Sequence, residues 1–217
     1  MPTLVKICGI TRLDDARFCA AAGADFLGFI QHAGSPRYVE PKAAREIIGW
    51  VAGPVPVGVF VNETAEAINA RCAEVGFRMA QLHGHETPET CAAVTVPVIK
   101  AIPVTHDASA EQVRAMAEPY LGVVDFLLLD TSTTSLFGGL FGGSGESFNW
   151  RVARDLASVA DVFLAGGIAA ENVAEAIATM RPYAVDLSSS VESSPGVKDL
   201  DRLAAFFEAF RVATEPT

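Results

Sequence analysis

Along this chain a short, almost wholly apolar run gives way, about eight times over, to a longer stretch of helical period. That alternation is the signature of repeated strand–helix units built on a parallel sheet. The candidate strands are Thr3–Cys8, Asp25–Ile30, Val55–Val61, Arg78–His83, Val96–Ile102, Asp125–Asp130, Asp161–Ala165 and Ala184–Ser188. Most carry no polar face, as expected of strands covered on both sides. The helical stretches between them are Leu13–Ala22, Lys42–Val51, Ala65–Val75, a short Pro88–Ala93, Glu111–Ala117, Trp150–Val159, Ala170–Met180 and Leu200–Val212. Thr64 and Thr87 stand where N-caps belong, and Pro88 falls at the permissive first helical position.

Eight such units either close into a barrel or form a doubly wound open sheet. No GxGxxG follows the first strand, where KICGIT stands instead, and this disfavours a dinucleotide-binding open sheet. We therefore expect an α/β fold, a single (β/α)₈ TIM barrel. The 217 residues lie near the lower end for one barrel. No composition break or Ser/Pro linker divides them, so residues 1–217 read as one domain, with a tail fraying from about residue 210. Leu136–Gly145, LFGGLFGGSG, is a long Gly-rich loop after the sixth strand, and loops of that length are usually functional or disordered.

A net charge of −10 argues against a nucleic-acid backbone or an anionic membrane as partner. It does not exclude an anionic substrate, because backbone N–H groups at helix starts hold phosphate without a basic patch. Cys8, Cys19, Cys72 and Cys91 show neither a CxxC pair nor Cys/His ligand spacing, so neither a zinc site nor a disulfide framework is suggested. MPTLVKICGI lacks the basic and apolar regions of a secretion signal, and no apolar run is long enough to span a membrane. A cytoplasmic protein acting on a small molecule is the expectation.

In a barrel, reactive groups sit where strands end, which selects Cys8, Arg37, Asn62, His83, Asp130 and Ser188–Ser190. Cys8, followed by Gly9, either presents a thiol in the barrel mouth or is a small buried hydrophobe, the usual fate of free cysteine. Asp130 closes FLLLD, where desolvation can raise a carboxyl toward a general acid's range; the plainer reading is a turn Asp. Asp186 in VDLSS ranks lower, as a structural carboxylate tied to backbone donors. Arg37 in SPRY is either a fork for a carboxylate or a surface ion-pair residue. His83 in QLHG is either an acid–base group or a hydrogen-bonded structural histidine. Ala165-Gly166-Gly167-Ile168 and Ser188-Ser189-Ser190 follow the seventh and eighth strands, the loops that often form a barrel's phosphate site.

Taken in order, KICGIT at 6–11, SPRYV at 35–39, VGVFVN at 57–62, QLHG at 81–84, LLLD at 127–130, GGSG at 142–145, AGGI at 165–168, RPYAVDLSS at 181–189 and VESSPGVKD at 191–199 resemble the phosphoribosylanthranilate isomerase family of tryptophan biosynthesis. The resemblance runs over nearly the whole chain. It implies a (β/α)₈ barrel that isomerises an aldose to a ketose without cofactor or metal, by an Amadori rearrangement of N-(5-phosphoribosyl)anthranilate. It also implies Cys8 as general base, Asp130 as general acid and Arg37 as the binder of the anthranilate carboxylate. Gln81, His83, Gly166, Gly167, Ser188, Ser189 and Ser190 would line the substrate site.

A base and an acid that begin in opposite protonation states require one pKa lowered and the other raised. The chain departs from the family pattern at Gln31–Gly34, at Glu146 where Lys is frequent, and at Ser190, which replaces a glycine near the phosphate. A diverged isomerase or lyase on another phosphosugar, and a non-catalytic barrel binding a phosphorylated metabolite, are the alternatives. The quaternary state is open between monomer and homodimer.

Overall fold

The structure is a computed structural model and describes residues 2–131 and 149–215. Eight parallel strands close a barrel in sequence order: β1 Leu4–Cys8, β2 Phe26–Ile30, β3 Val55–Phe60, β4 Met79–Leu82, β5 Val98–Val104, β6 Phe126–Thr131, β7 Val162–Leu164 and β8 Ala184–Leu187. Closure is direct, because β1 pairs with β2 on one side and with β8 on the other, with Lys6 opposite Phe26 and Asp186. Around them lie α1 Leu13–Ala22, α2 Pro41–Trp50, α3 Ala65–Val75, α4 Pro88–Ala92, α5 Ala110–Ala117, α6 Val173–Met180 and α7 Leu200–Thr214. The expected caps are present: Ala67 N donates to Thr64 Oγ1, and Thr90 N donates to Thr87 Oγ1.

Side chains alternate across each strand, and this splits the core in two. Val5, Ile7, Leu27, Ala80, Leu82, Leu127, Leu129 and Val185 point outward into the layer between sheet and helices. Phe26, Val57, Met79, Ile99, Leu128, Phe163 and Ala184 fill the barrel interior. Its N-terminal end is plugged by aromatic rings, with Phe126 and Tyr183 at 4.9 Å and Phe126 and Phe163 edge-on at 5.5 Å. The same period of two turns Cys8, Gln81 and Asp130 inward, because each lies two residues beyond an inward-facing neighbour.

Several expectations need correction. The helix expected over Trp150–Val159 is two 3₁₀ turns, Trp150–Ala153 and Leu156–Ser158. Ser158 Oγ donates to the Asp155 carbonyl at 2.6 Å, a local bond that competes with helix propagation. The helix expected from Ala170 starts at Val173, because the Asn172 amide accepts from Ala169 N and donates to Gly167 O, fastening those residues as a loop. Strand β5 runs two residues later at both ends than expected, starting beyond Pro97, which has no N–H to donate. The tail expected to fray from about 210 is helical to Thr214, where Glu215 N still donates to Arg211 O. An unforeseen antiparallel pair, β9 Glu192–Ser194 and β10 Val197–Lys198, follows β8. The Gly-rich loop at 136–145, its GGSG and Glu146 lie outside the described residues.

Candidate active site

The residues that the family resemblance marks as catalytic or binding all border one cavity of about 320 Å³ at the C-terminal mouth of the barrel. Cys8 enters from β1, Arg37 from the β2–α2 loop, Gln81 and His83 from the end of β4, and Asp130 from β6. Gly166 and Gly167 follow β7, and Ser188–Ser190 follow β8. Asn62, also at a strand end, turns elsewhere: its Oδ1 accepts from His85 N, and its own N–H donates to Glu86.

Cys8 is buried, and space for its sulfur comes from Gly28 opposite it on β2. A Cβ at Gly28 would stand 2.8 Å from Sγ. Burial pushes the thiol above its ordinary value; Lys6 and Lys198 oppose this, while Asp186 adds to it. The expectation of a base with a lowered pKa is thus reversed, because desolvation of the anion outweighs the two nearby ammonium groups.

Beneath Cys8, on the same face of β1, lies Lys6. Its Nζ is fully buried and 2.7 Å from Asp186 Oδ2. Burial alone would lower the Lys6 pKa, yet contact with Asp186 and Cys8 raises it, so the ammonium stays charged. Asp186 is not tied to backbone donors as expected. Its partner is Lys6, and burial raises its pKa against that pull. Its Oδ1 is buried with no hydrogen-bond partner among the described residues, at the edge of the cavity.

A chain of polar contacts runs from β4 to β6. Gln81 Nε2 lies 2.7 Å from His83 Nδ1, and His83 Nε2 lies 3.4 Å from Asp130 Oδ2. The Gln81 amide thus holds the Nδ1 edge of the ring and leaves the Nε2 edge turned toward Asp130. The strand end that carries His83 is held from outside by a second buried pair, Lys100 Nζ to Glu86 Oε2 at 2.7 Å. Lys100 also donates to Gly84 O, and Glu86 accepts from Asn62 N and Gly84 N. Burial pushes the Glu86 carboxyl up, but Lys100 and the backbone N–H groups of Asn62 and of Glu86 itself outweigh it and hold it below the usual range.

Arg37 is buried rather than on the surface. Its Nε and Nη2 grip Glu192 at 2.8–3.0 Å. Lys198 Nζ reaches Glu192 Oε1 at 3.0 Å and the Cys8 carbonyl at 2.6 Å. One buried cluster thereby joins the guanidinium to the end of β1. Burial pushes Glu192 up, and Arg37 and Lys198 overcome it, leaving the carboxyl below its usual value.

The two loops beyond β7 and β8 meet across the mouth. Gly166 and Gly167 have φ of 82° and 70°, and a Cβ on Gly166 would lie 2.3 Å from Thr131 Oγ1, so the turn admits no side chain there. Ser189–Val191 forms a short 3₁₀ turn opposite it. Two loops of glycine and serine lining one space are suited to an anion.

Sequence reasoning passed over Lys6, Lys100, Glu86, Glu192 and Lys198. A signal was present for two of them: a lone lysine inside LVKIC and another inside VIKAI, each in a strand otherwise apolar, must find a buried partner. Among the described residues no group of three or more His, Cys, Asp or Glu side chains is placed to hold a metal ion, and no helix is long and apolar enough to cross a membrane.

A closed parallel barrel whose strand-end polar side chains and glycine- and serine-bearing loops gather around one cavity at the C-terminal mouth belongs to the class of (β/α)₈-barrel enzymes. Residues 5–209 match the family described as N-(5'phosphoribosyl)anthranilate (PRA) isomerase, and the chain belongs to that family. It is 41% identical to the N-(5'-phosphoribosyl)anthranilate isomerase of Herminiimonas arsenicoxydans, over 97% of this chain and 94% of the relative. Identity to that of Acidithiobacillus ferrooxidans is 43%, over 95% and 97%. The fold superposes on the crystal structure of phosphoribosyl anthranilate isomerase from Thermotoga maritima with a TM-score of 0.87 at 39% identity, covering 97% of this chain and 99% of that one. A further isomerase structure, in complex with reduced 1-(o-carboxyphenylamino)-1-deoxyribulose 5-phosphate, gives 0.83 at 36% identity over the same shares.

Proposed function

We propose that this chain catalyses the Amadori rearrangement of N-(5-phosphoribosyl)anthranilate to 1-(2-carboxyphenylamino)-1-deoxyribulose 5-phosphate, as an intramolecular oxidoreductase of tryptophan biosynthesis. The observation that carries the reading is the placement of Cys8 and Asp130 on β1 and β6, facing one cavity with an anion cradle at its rim.

In this reading Asp130 gives its proton to the furanose oxygen as the ring opens to a Schiff base. Cys8, as thiolate, removes the C2 proton, and the resulting enolamine becomes the ketone. His83, held by Gln81, keeps the Asp130 carboxyl turned to the substrate. The loops at Gly166–Gly167 and Ser188–Ser190 take the phosphate. The grip of Glu192 on the Nε/Nη2 edge fixes the Arg37 guanidinium at the border of the cavity, where it would bind the anthranilate carboxylate. Asp186 Oδ1, a buried acceptor lacking a protein donor among the described residues, suits a ribose hydroxyl. The whole length of the chain acts as one domain, in the cytoplasm, as a monomer or homodimer; a relative from Thermotoga maritima is described as dimeric.

The test is complementation of a tryptophan auxotroph lacking this isomerase, followed by steady-state assay. Loss of general acid or base costs on the order of 10²–10⁴-fold in kcat, so Cys8→Ala and Asp130→Asn are expected to lose at least ~10²-fold while remaining folded. Full activity in either would remove the assigned roles, and turnover of a different phosphosugar in preference would redirect the assignment.

A further inference from the structure

Lys6 is 0% exposed within a strand of apolar residues, and the proton transfers proposed above do not touch it. Taking a lysine and a carboxylate into a barrel interior costs free energy, and apolar side chains of similar size usually serve stability as well or better. Packing alone therefore gives no reason for the pair. The pair is also incomplete as a structural device, since Asp186 Oδ1 has no partner among the described residues.

Location supplies a reason. Lys6 and Cys8 alternate onto the same inward face of β1, two residues apart, and Asp186 stands opposite Lys6 in the register of β8. The Cα atoms of Lys6 and Cys8 are about 7 Å apart at the rise of a strand, within reach of a lysine stem.

We propose that Lys6 is a positioning residue for proton abstraction: its ammonium, anchored on Asp186, is the counter-charge that lets Cys8 exist as a thiolate inside the barrel. The proposal rests on the reading of Cys8 as the base. Burial works against the anion, and the Lys6 ammonium, on the same inward face of β1, opposes it as a nearby opposite charge. The second cation near Cys8 is committed elsewhere: Lys198 Nζ holds the Cys8 and Ser188 carbonyls and Glu192. Among the described residues, the remaining charged or titratable groups around the thiol are Asp186, which disfavours the thiolate, and across the cavity His32, Arg37 with Glu192, and His83 with Asp130.

The experiment titrates the thiol directly and needs no turnover. Alkylation of Cys8 by iodoacetamide is followed against pH by mass spectrometry of its peptide. Loss of an opposite charge at this range moves a pKa by about one to three units, so Lys6→Met should shift the Cys8 titration upward and slow alkylation at least ~10-fold below the midpoint. Should Lys6→Met fail to fold, Lys6→Met/Asp186→Leu replaces the whole pair by apolar side chains and is again expected to titrate above the wild type. In any Lys6 variant that turns over, the rising limb of kcat/KM against pH should move with the thiol.

A folded Lys6 variant whose Cys8 titrates as in the wild type overturns the proposal. Turnover by Cys8→Ala would instead remove Cys8 as base, whatever Lys6 does to the thiol, so the two failures are separable.

Discussion

Arg37 and Glu192 are 155 residues apart in sequence, yet their side chains form a buried two-pronged ion pair with contacts of 2.8–3.0 Å. The pair fixes the guanidinium at the cavity edge and, through Lys198, ties it to the carbonyl of Cys8. Breaking a buried pair by removing one partner leaves the other charge uncompensated, at a cost of about 3–5 kcal/mol. Glu192→Gln should therefore lower stability to denaturant by an amount of that order and raise KM more than it lowers kcat. Chemical denaturation with steady-state kinetics checks both.

Asp130 is oriented by His83, and His83 by Gln81. Loss of the imidazole should leave the carboxyl present but misaimed, and misplacement by an ångström can cost ~10²-fold. His83→Ala is expected to lower kcat by up to that factor with little change in melting temperature, in contrast to Glu192→Gln.

Gly28 leaves room for the Cys8 sulfur, since a Cβ at that position would lie only 2.8 Å from Sγ and 3.1 Å from the Cys8 Cα. Gly28→Ala should force Cys8 aside at about 1–3 kcal/mol, the usual cost of overpacking. A fall in kcat together with altered Cys8 alkylation is the expected readout.

Glu86 is held below its ordinary value of 4.5 in the folded chain. A carboxyl so lowered stabilises the fold fully above its unfolded value, and that stability is lost as pH falls through the folded value. Melting temperature should therefore drop on acidification below about 4.5. The drop should be shallower in Glu86→Gln, and it should not vanish, because Glu192 is lowered in the same direction.

Much of the fold was legible because its determinants are local. Apolar runs such as VGVF and FLLL mark strands buried on both faces, and the period of two by itself sends Cys8 and Asp130 to the same side as their inward neighbours. The errors fell where side chains override local propensity, as with Ser158 bonding Asp155 O and Asn172 stapling the loop before α6. The charged network was hidden for a different reason. Lys6 with Asp186, Lys100 with Glu86, and Arg37 with Glu192 join residues whose nearness depends on barrel closure or loop placement.

The sequence by itself determined the order of the eight strands, the strand ends that carry Cys8, His83 and Asp130, and the loops that follow the seventh and eighth strands, because each depends on the residues immediately around it. Tertiary structure decided the surroundings of the Cys8 thiol. Whether Cys8 holds a proton depends on how deeply closure buries it and on how near Lys6, Lys198 and Asp186 are brought. Desolvation and Coulomb energy depend on distance and burial in three dimensions, and neither can be read from position along a chain.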